Sequence, residues 1–252
     1  MNPSPPAAVF KTESSRPNAA KRTPVSKGQP MSERTISDFD RSARGFGVPF
    51  ASCYAYSPRG VGAASVASRQ LCLRVKNTDP EWLPRYVECL RDRGNAFEVC
   101  ADIFRHDALL VPVPSWKPTA DTEVWGASCL VTVLRELGIP GVAWKGLSRT
   151  RPLWKSSAAW PAERPTVKDH HDSLAVGHLS TPPARIVLVD DVITRGRTLL
   201  GAAVRLRERF PVIEIHAFAL LRTLSPGEEV ERLLMPCSGR IAWTGRDARR
   251  TP

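Results

Sequence analysis

Between Arg185 and Val189 the chain runs Ile-Val-Leu-Val with no polar interruption, the pattern of a strand covered on both faces in a parallel sheet. Gly196 to Phe210 then places Leu199, Leu200, Ala203, Val204 and Leu206 on one helical stripe, with Arg205, Arg207, Glu208 and Arg209 outward. Val212 to Leu221 reads as a further strand. Strand, helix, strand in that order predicts a right-handed parallel crossover. Upstream, Asp107-Ala-Leu-Leu-Val-Pro-Val-Pro114 is a short apolar run stopped by prolines, which suits a buried strand emptying into a loop. Asp121 to Leu137 follows as a helix, with an acidic first turn at Asp121 and Glu123, apolar Val124, Leu130, Val131, Leu134 and Leu137, and Gly138 as its stop. Trp82, Leu83, Tyr86, Val87 and Leu90 recur at near-helical intervals and predict an amphipathic helix over 80–97. Ser225 and Pro226 before Glu228, Glu229 and Val230 predict a last short helix to about Met235. The expected fold class is α/β, a parallel sheet flanked by helices, and no internal repeat is visible.

Two stretches break the periodicity. The first thirty residues hold six prolines and one aromatic, Phe10, too little apolar area to offset chain entropy, so 1–45 is expected to be a disordered basic tail. Residues 147–183 are rich in Arg, Lys, Pro, Ser and His and too long for a routine connection, the kind of irregular insertion that often carries function. The remainder divides into a small N-terminal hood, 46–105, and an α/β core, 106–252.

Composition narrows the partners. An apolar fraction of 42% allows a sizeable core, and a net charge of +11 calls for anionic partners without choosing among phosphorylated metabolites, nucleic acid and lipid. The six cysteines contain no C-x-x-C pair and no His at zinc-finger spacing, so reduced thiols in a cytosolic protein are expected. No stretch approaches the ~20 apolar residues of a membrane span, and the N-terminus lacks the apolar region of a secretory signal, so a cytoplasmic address without membrane contact is expected.

The chemistry concentrates at 186–198. Asp190 and Asp191 end a buried strand, where adjacent carboxylates are costly unless they face solvent or a polar ligand, and open parallel sheets bind ligands beyond that strand end. Thr194, Arg195, Gly196, Arg197 and Thr198 run into a helix N-terminus, whose free N–H groups and positive dipole end favour a phosphate. Acids beside a phosphate cradle demand a ligand with neutral hydroxyls at one end and a phosphate at the other. A ribose 5-phosphate meets that demand, and the same acids would stabilise an oxocarbenium ion at its anomeric carbon. Two nucleotide motifs fail: Gly196 and Gly201 have Walker A spacing but Ala202 and Ala203 replace its Lys and Ser/Thr, and no G-x-G-x-x-G follows a strand.

Val187-Leu-Val-Asp-Asp-Val-Ile-Thr-Arg-Gly-Arg-Thr198 resembles the phosphoribosyl pyrophosphate (PRPP) signature of the type I phosphoribosyltransferases. The layout is most similar to the ComF/GntX branch: Val111-Pro-Val-Pro-Ser115, a Leu147-x-Arg149 segment, a basic stretch with Arg164, then the signature. The resemblance covers about 70–223 and implies a type I phosphoribosyltransferase-like fold. It implies that Asp190 and Asp191 hold the ribose hydroxyls and, directly or through water, Mg²⁺. Thr194, Arg195, Gly196, Arg197 and Thr198 would bind the 5-phosphate, and Ser115, Trp116 and Lys117 the pyrophosphate. The activity implied is Mg²⁺-dependent transfer of the phosphoribosyl group to a nitrogen acceptor with release of pyrophosphate. The branch's Arg-Gly-Phe-Asn-like run is replaced here by Pro118-Thr-Ala-Asp-Thr-Glu123, and its four-Cys zinc ribbon has no counterpart. That departure motivates an alternative, a non-catalytic PRPP- or nucleotide-sensing regulator, linked to DNA uptake or processing by analogy with competence proteins.

Other polar clusters have plainer readings. Asp169-His170-His171-Asp172 looks like a metal cluster, but adjacent residues do not converge on one ion, so loop polarity is expected. Trp116, Trp125, Trp144, Trp154 and Trp160 are expected to pack, with Trp154 and Trp160 the better candidates for stacking on a base. Lys155 and Arg164 could clamp pyrophosphate under a closing lid. The tail's Lys21, Arg22 and Lys27 leave room for nucleic acid, and a homodimer is left open.

Overall fold

The computed structural model describes residues 37–252 except 93, 119–122, 155–162 and 226. Its chain order is α1 Asp38–Ala43, β1 Gly47–Tyr56, α2 Ala63–Lys76, α3 Trp82–Val87, a 3-10 turn Glu88–Leu90, α4 Asn95–Ala101, β2 Ala108–Pro112, α5 Gly126–Glu136, β3 Val142–Ala143, β4 Leu147–Arg149, α6 Val167–Asp172, β5 Leu174–Val176, β6 Arg185–Ile193, α7 Arg197–Arg209, β7 Glu214–Thr223, β8 Leu234–Trp243 and β9 Ala248–Thr251.

The fold is α/β. A seven-stranded sheet runs β3-β2-β6-β7-β1-β8-β9, parallel from β3 to β1, with β8 and β9 added antiparallel. The apolar run in β6 behaves as its pattern predicts, because side chains alternate between faces. Val187 and Val189 enter the core beneath α2, α3, α4 and α5, while Ile186 and Leu188 enter the core beneath α1, α6 and α7. The helix α5, between β2 and β3, and α7, between β6 and β7, therefore lie on opposite faces. Successive connections depart in opposite directions from the adjacent strands β2 and β6, which makes this a topological switch point, the place where open α/β sheets leave a crevice beyond their strand ends.

Several elements differ from expectation. The helix over 80–97 is broken into α3, the 3-10 turn and α4, with Gly94 extended as the N-cap of α4 (φ −90°, ψ −171°). The helix expected from Asp121 begins only at Gly126, because extended Trp125 donates its indole N–H to the Val113 carbonyl at 2.8 Å and ties the chain to the end of β2; Asp121 lies outside the described residues. Among the described residues of 225–235 no helix forms. Glu228 binds the Arg222 guanidinium and the Ser225 N–H, and Leu234 is drawn into β8, opposite Tyr54 of β1. The described residues of the 147–183 insertion carry more regular structure than their composition suggests. The strands β4 and β5 form a separate antiparallel pair, and α6 starts from a capping box in which Thr166 and Asp169 satisfy each other's N–H.

The segment 46–105 contributes β1 to the sheet between β7 and β8, and α2, α3 and α4 to one face. Of the expected tail, 1–36 lies outside the described residues, while α1 packs buried Phe39 edge-on against His171 and Trp243. Among the described residues no helix is long and apolar enough to cross a membrane. All six cysteines are free thiols.

Candidate functional site

The acids lie within β6 rather than ending it, since the strand runs on to Ile193 with Asp190 opposite Ala219 of β7, and both fold back on their own backbone. The Asp191 N–H donates to Asp190 Oδ1 at 2.9 Å, and the Val192 N–H to Asp191 Oδ1 at 2.7 Å. Burial, and then the neighbouring Asp191 charge, push the Asp190 carboxyl well above the usual range, while the Lys76 ammonium pulls it down. Lys76 ends α2, and its helix neighbour Cys72 feels the Asp191 charge, so α2 overhangs the carboxylates. The first turn of α5 also closes on Asp191: a Cβ on Gly126 would stand 3.5 Å from Asp191 Oδ2. A helix N-terminus suits that carboxylate.

Three residues, Thr194, Arg195 and Gly196, turn β6 into α7. Gly196 is the N-cap with φ +81°, a left-handed conformation that side-chain-bearing residues avoid, and its Cβ position lies 2.7 Å from Ile241 Cγ2. Among the described residues no side chain caps the free N–H groups of α7. Thr194 Oγ1 meets Thr223 Oγ1 at 3.1 Å across the strand ends, and Thr198 Oγ1 meets His170 Nε2 at 3.4 Å.

The two arginines of this turn face another partner. Arg197 donates Nε and a terminal nitrogen to the two carboxylate oxygens of Asp247, at 2.7 and 2.6 Å, and Arg195 reaches the same carboxylate at 3.2 Å. Asp247 lies in the turn between β8 and β9. Burial opposes its charge, yet the Arg197 hydrogen bonds and charge and the Ala248 N–H hold its carboxyl below the usual range. Both arginines are thus drawn toward the hairpin.

Across the crevice, the β2 loop is held by distant residues. Ser115 Oγ donates to the Lys117 carbonyl at 3.1 Å, and the Lys117 ammonium pairs with Glu123 at 2.9 Å. The carbonyl of Trp116, whose ring is partly exposed, accepts from the Leu153 N–H at 2.7 Å. The Ser115 carbonyl accepts from Arg149 Nε at 2.9 Å. Arg149 is buried at the end of β4, and its other nitrogens donate to the His170 carbonyl, Ser173 Oγ and His170 Nδ1 at 3.2, 2.6 and 3.1 Å. Burial lowers its pKa to about 10 against the opposing pull of Asp190. Burial and then the Arg149 charge lower His170 to about 3, which leaves its ring neutral.

The expected Asp169–Asp172 loop is thus helix α6. Its His170 is buried between Arg149 and Thr198, and His171 lies between Asp172 and Glu208. A cavity of about 390 Å³ opens beside the β2 loop, lined by Arg151, Leu153, Trp154, Glu163, Pro165 and Asp169, with Trp154 exposed at its rim. Trp125 and Trp144 are anchored by packing and hydrogen bonding, whereas Trp160 and Lys155 lie outside the described residues. Residue patterning did not single out Lys76, Asp247 or the Arg149–His170 contact. Lys76 is one basic residue among many on a helix, and the other two depend on contacts made by distant segments.

No family model matches the chain, and no curated protein matches it. Among solved structures, adenine phosphoribosyltransferase from Leishmania tarentolae is 16% identical, covering 74% of this chain and 88% of its own, with a TM-score of 0.23. Adenine phosphoribosyltransferase from Leishmania donovani is 15% identical, covering 81% and 94%, again with a TM-score of 0.23. Likeness at this level leaves the functional reading to the geometry of the residues.

Proposed function

We propose that the chain binds PRPP beyond the β6 end and transfers its phosphoribosyl group to a nitrogen acceptor. The observation that carries this reading is the succession, at a topological switch point, of two carboxylates and a left-handed glycine turn into an uncapped helix start. In this reading Asp190 and Asp191 accept hydrogen bonds from the ribose hydroxyls. The turn binds the 5-phosphate through backbone N–H groups and the Thr194 and Thr198 hydroxyls. Because Arg195 and Arg197 are paired with Asp247, their part is to brace the turn rather than to meet the phosphate first.

The bond from the anomeric carbon to pyrophosphate oxygen breaks with its electron pair staying on the leaving pyrophosphate, the paired acids stabilise the positive charge left on the sugar, and the acceptor nitrogen adds to that carbon and gives up its proton to pyrophosphate or water. In this reading Lys117 and the Ser115–Trp116 backbone receive the leaving pyrophosphate. Mg²⁺ suits the donor set. Asp190 and Asp191 are hard oxygen donors, and a cation would relieve the crowding that raises Asp190. Among the described residues no third His, Cys, Asp or Glu completes a metal group, so ligand oxygens and water would fill the remaining positions. When bound, Mg²⁺ would neutralise pyrophosphate charge.

Calorimetry with Mg²⁺ and PRPP tests the site: Asp190→Asn combined with Asp191→Asn abolishes binding, and unchanged affinity would reject the assignment. A non-catalytic PRPP- or nucleotide-sensing regulator is the second reading. It is favoured by the Lys117–Glu123 pair, which engages the cation meant for pyrophosphate. Mass spectrometry after incubation with PRPP and a panel of bases separates the two, since a glycosidic product excludes the regulator and tight PRPP binding without product supports it. The cavity beside Trp154 is the proposed acceptor side, and a cytoplasmic setting accompanies this reading.

A further inference from the structure

We infer that Arg149 and His170 form a positioning relay that presents the Thr198 hydroxyl as a hydrogen-bond donor to the anion held at the start of α7. The inference rests on the proposed role of that turn and adds to it two residues that touch no substrate.

A guanidinium only donates, so where an Arg149 terminal nitrogen lies 3.1 Å from His170 Nδ1, that ring nitrogen must accept. A neutral imidazole with a bare Nδ1 carries its proton on Nε2. Nε2–H faces Thr198 Oγ1 at 3.4 Å, so the hydroxyl oxygen accepts and its own proton is left to point elsewhere. The contact is long for a hydrogen bond, so it supplies orientation rather than strength.

Packing fixes the alignment. Gly201, one turn beyond Thr198 on the same face of α7, has no side chain because α6 lies against it: a Cβ there would stand 2.7 Å from the Val167 carbonyl and 2.8 Å from His170 Cβ. That close approach brings His170 within reach of Thr198. The cation behind the histidine is itself fixed, since Arg149 is buried and donates to the Ser115 and His170 carbonyls and to Ser173 Oγ. One buried guanidinium therefore holds the loop after β2 and orients a hydroxyl after β6, coupling the two sides of the crevice.

The test is a double-mutant cycle read by calorimetry with inorganic phosphate and, separately, with PRPP and Mg²⁺. Thr198→Val should weaken phosphate binding about tenfold, the value of one hydrogen bond to a charged oxygen. His170→Phe should weaken it by a similar factor, and Thr198→Val added to His170→Phe should then cost less than about threefold, because the hydroxyl is already misdirected. His170→Gln, whose amide can accept from Arg149 and donate to Thr198, should recover most of the loss. A full, independent Thr198→Val penalty in the His170→Phe background overturns the relay. Should His170→Phe fail to fold, ¹⁵N-histidine NMR of the unmutated chain decides: a neutral ring protonated on Nε2 is expected, and a proton on Nδ1 overturns the relay. If the unmutated chain binds neither phosphate nor PRPP, the proposed function falls and the relay's role falls with it; binding without coupling overturns the relay alone.

Discussion

Two strand-to-helix crossings leave neighbouring strands at the same edge of the sheet, and they are built differently. From β6 to α7 the chain needs only Thr194, Arg195 and Gly196, and its shape is fixed locally by a left-handed glycine and by Asp190 and Asp191 folding onto the next N–H groups. From β2 to α5 it passes through residues 113–125, and the tethers that place this loop include Arg149 on Ser115 and Leu153 on Trp116. A turn shaped mainly by its own residues needs little from elsewhere beyond the Asp247 brace on Arg195 and Arg197. A loop held by others inherits their stability, and the 147–183 insertion, through Arg149 and Leu153, takes part in placing it.

That contrast predicts the largest effect at Gly196. Gly196→Val must place a side chain in a left-handed backbone, at about 1–2 kcal/mol, and press it into Ile241, at a further ~1–3 kcal/mol of overpacking. Urea unfolding should register the stability loss, and calorimetry should register no PRPP binding. Near-normal stability and affinity would mean that this turn is not the rigid element described here.

Next in size is the brace behind the turn. Asp247→Asn removes the charge that Arg195 and Arg197 share and should destabilise by about 1–3 kcal/mol, the range for a hydrogen bond to a charged group. The pH dependence has a definite sign. The Asp247 carboxyl is held below its ordinary value in the fold, so its contribution is complete above the unfolded carboxylate value near ~4 and is lost as pH falls through the folded one. The wild-type and Asp247→Asn stability curves should therefore converge in acid. Curves that stay parallel would place the stabilisation elsewhere.

The same contrast explains what was legible in the sequence. The β2, β6 and β7 strands and α7 could be read because an apolar run or stripe is a local signal, and Asp190 to Thr198 could be read because its chemistry occupies contiguous positions. The helix α6 carried a usable signal, Thr166 and Asp169 at capping-box spacing, hidden among the polar residues of the insertion. The misassigned helix at 225–235 had good local grammar, but Leu234 pairs with β1, an element almost two hundred residues away in the chain, and sheet pairing prevailed over propensity. Lys76, Asp247 and the Arg149–His170 contact had no local signature.

The smallest expected effect concerns the second crossing and decides whether its cation serves the site. Lys117 and Glu123 form a half-exposed ion pair, worth at most about 1 kcal/mol, so neither Lys117→Ala nor Glu123→Gln should move the unfolding midpoint much. Pyrophosphate binding is the sensitive readout. Glu123 competes with an incoming anion for the Lys117 ammonium; Glu123→Gln should therefore tighten pyrophosphate binding by a factor of about five or less, and Lys117→Ala should cancel that gain in the double variant. Inorganic phosphate, which the proposed function assigns to the turn after β6, should respond to neither substitution. If Glu123→Gln leaves pyrophosphate affinity unchanged, Lys117 is a solvated loop lysine, and the β2 crossing contributes backbone alone to the leaving group.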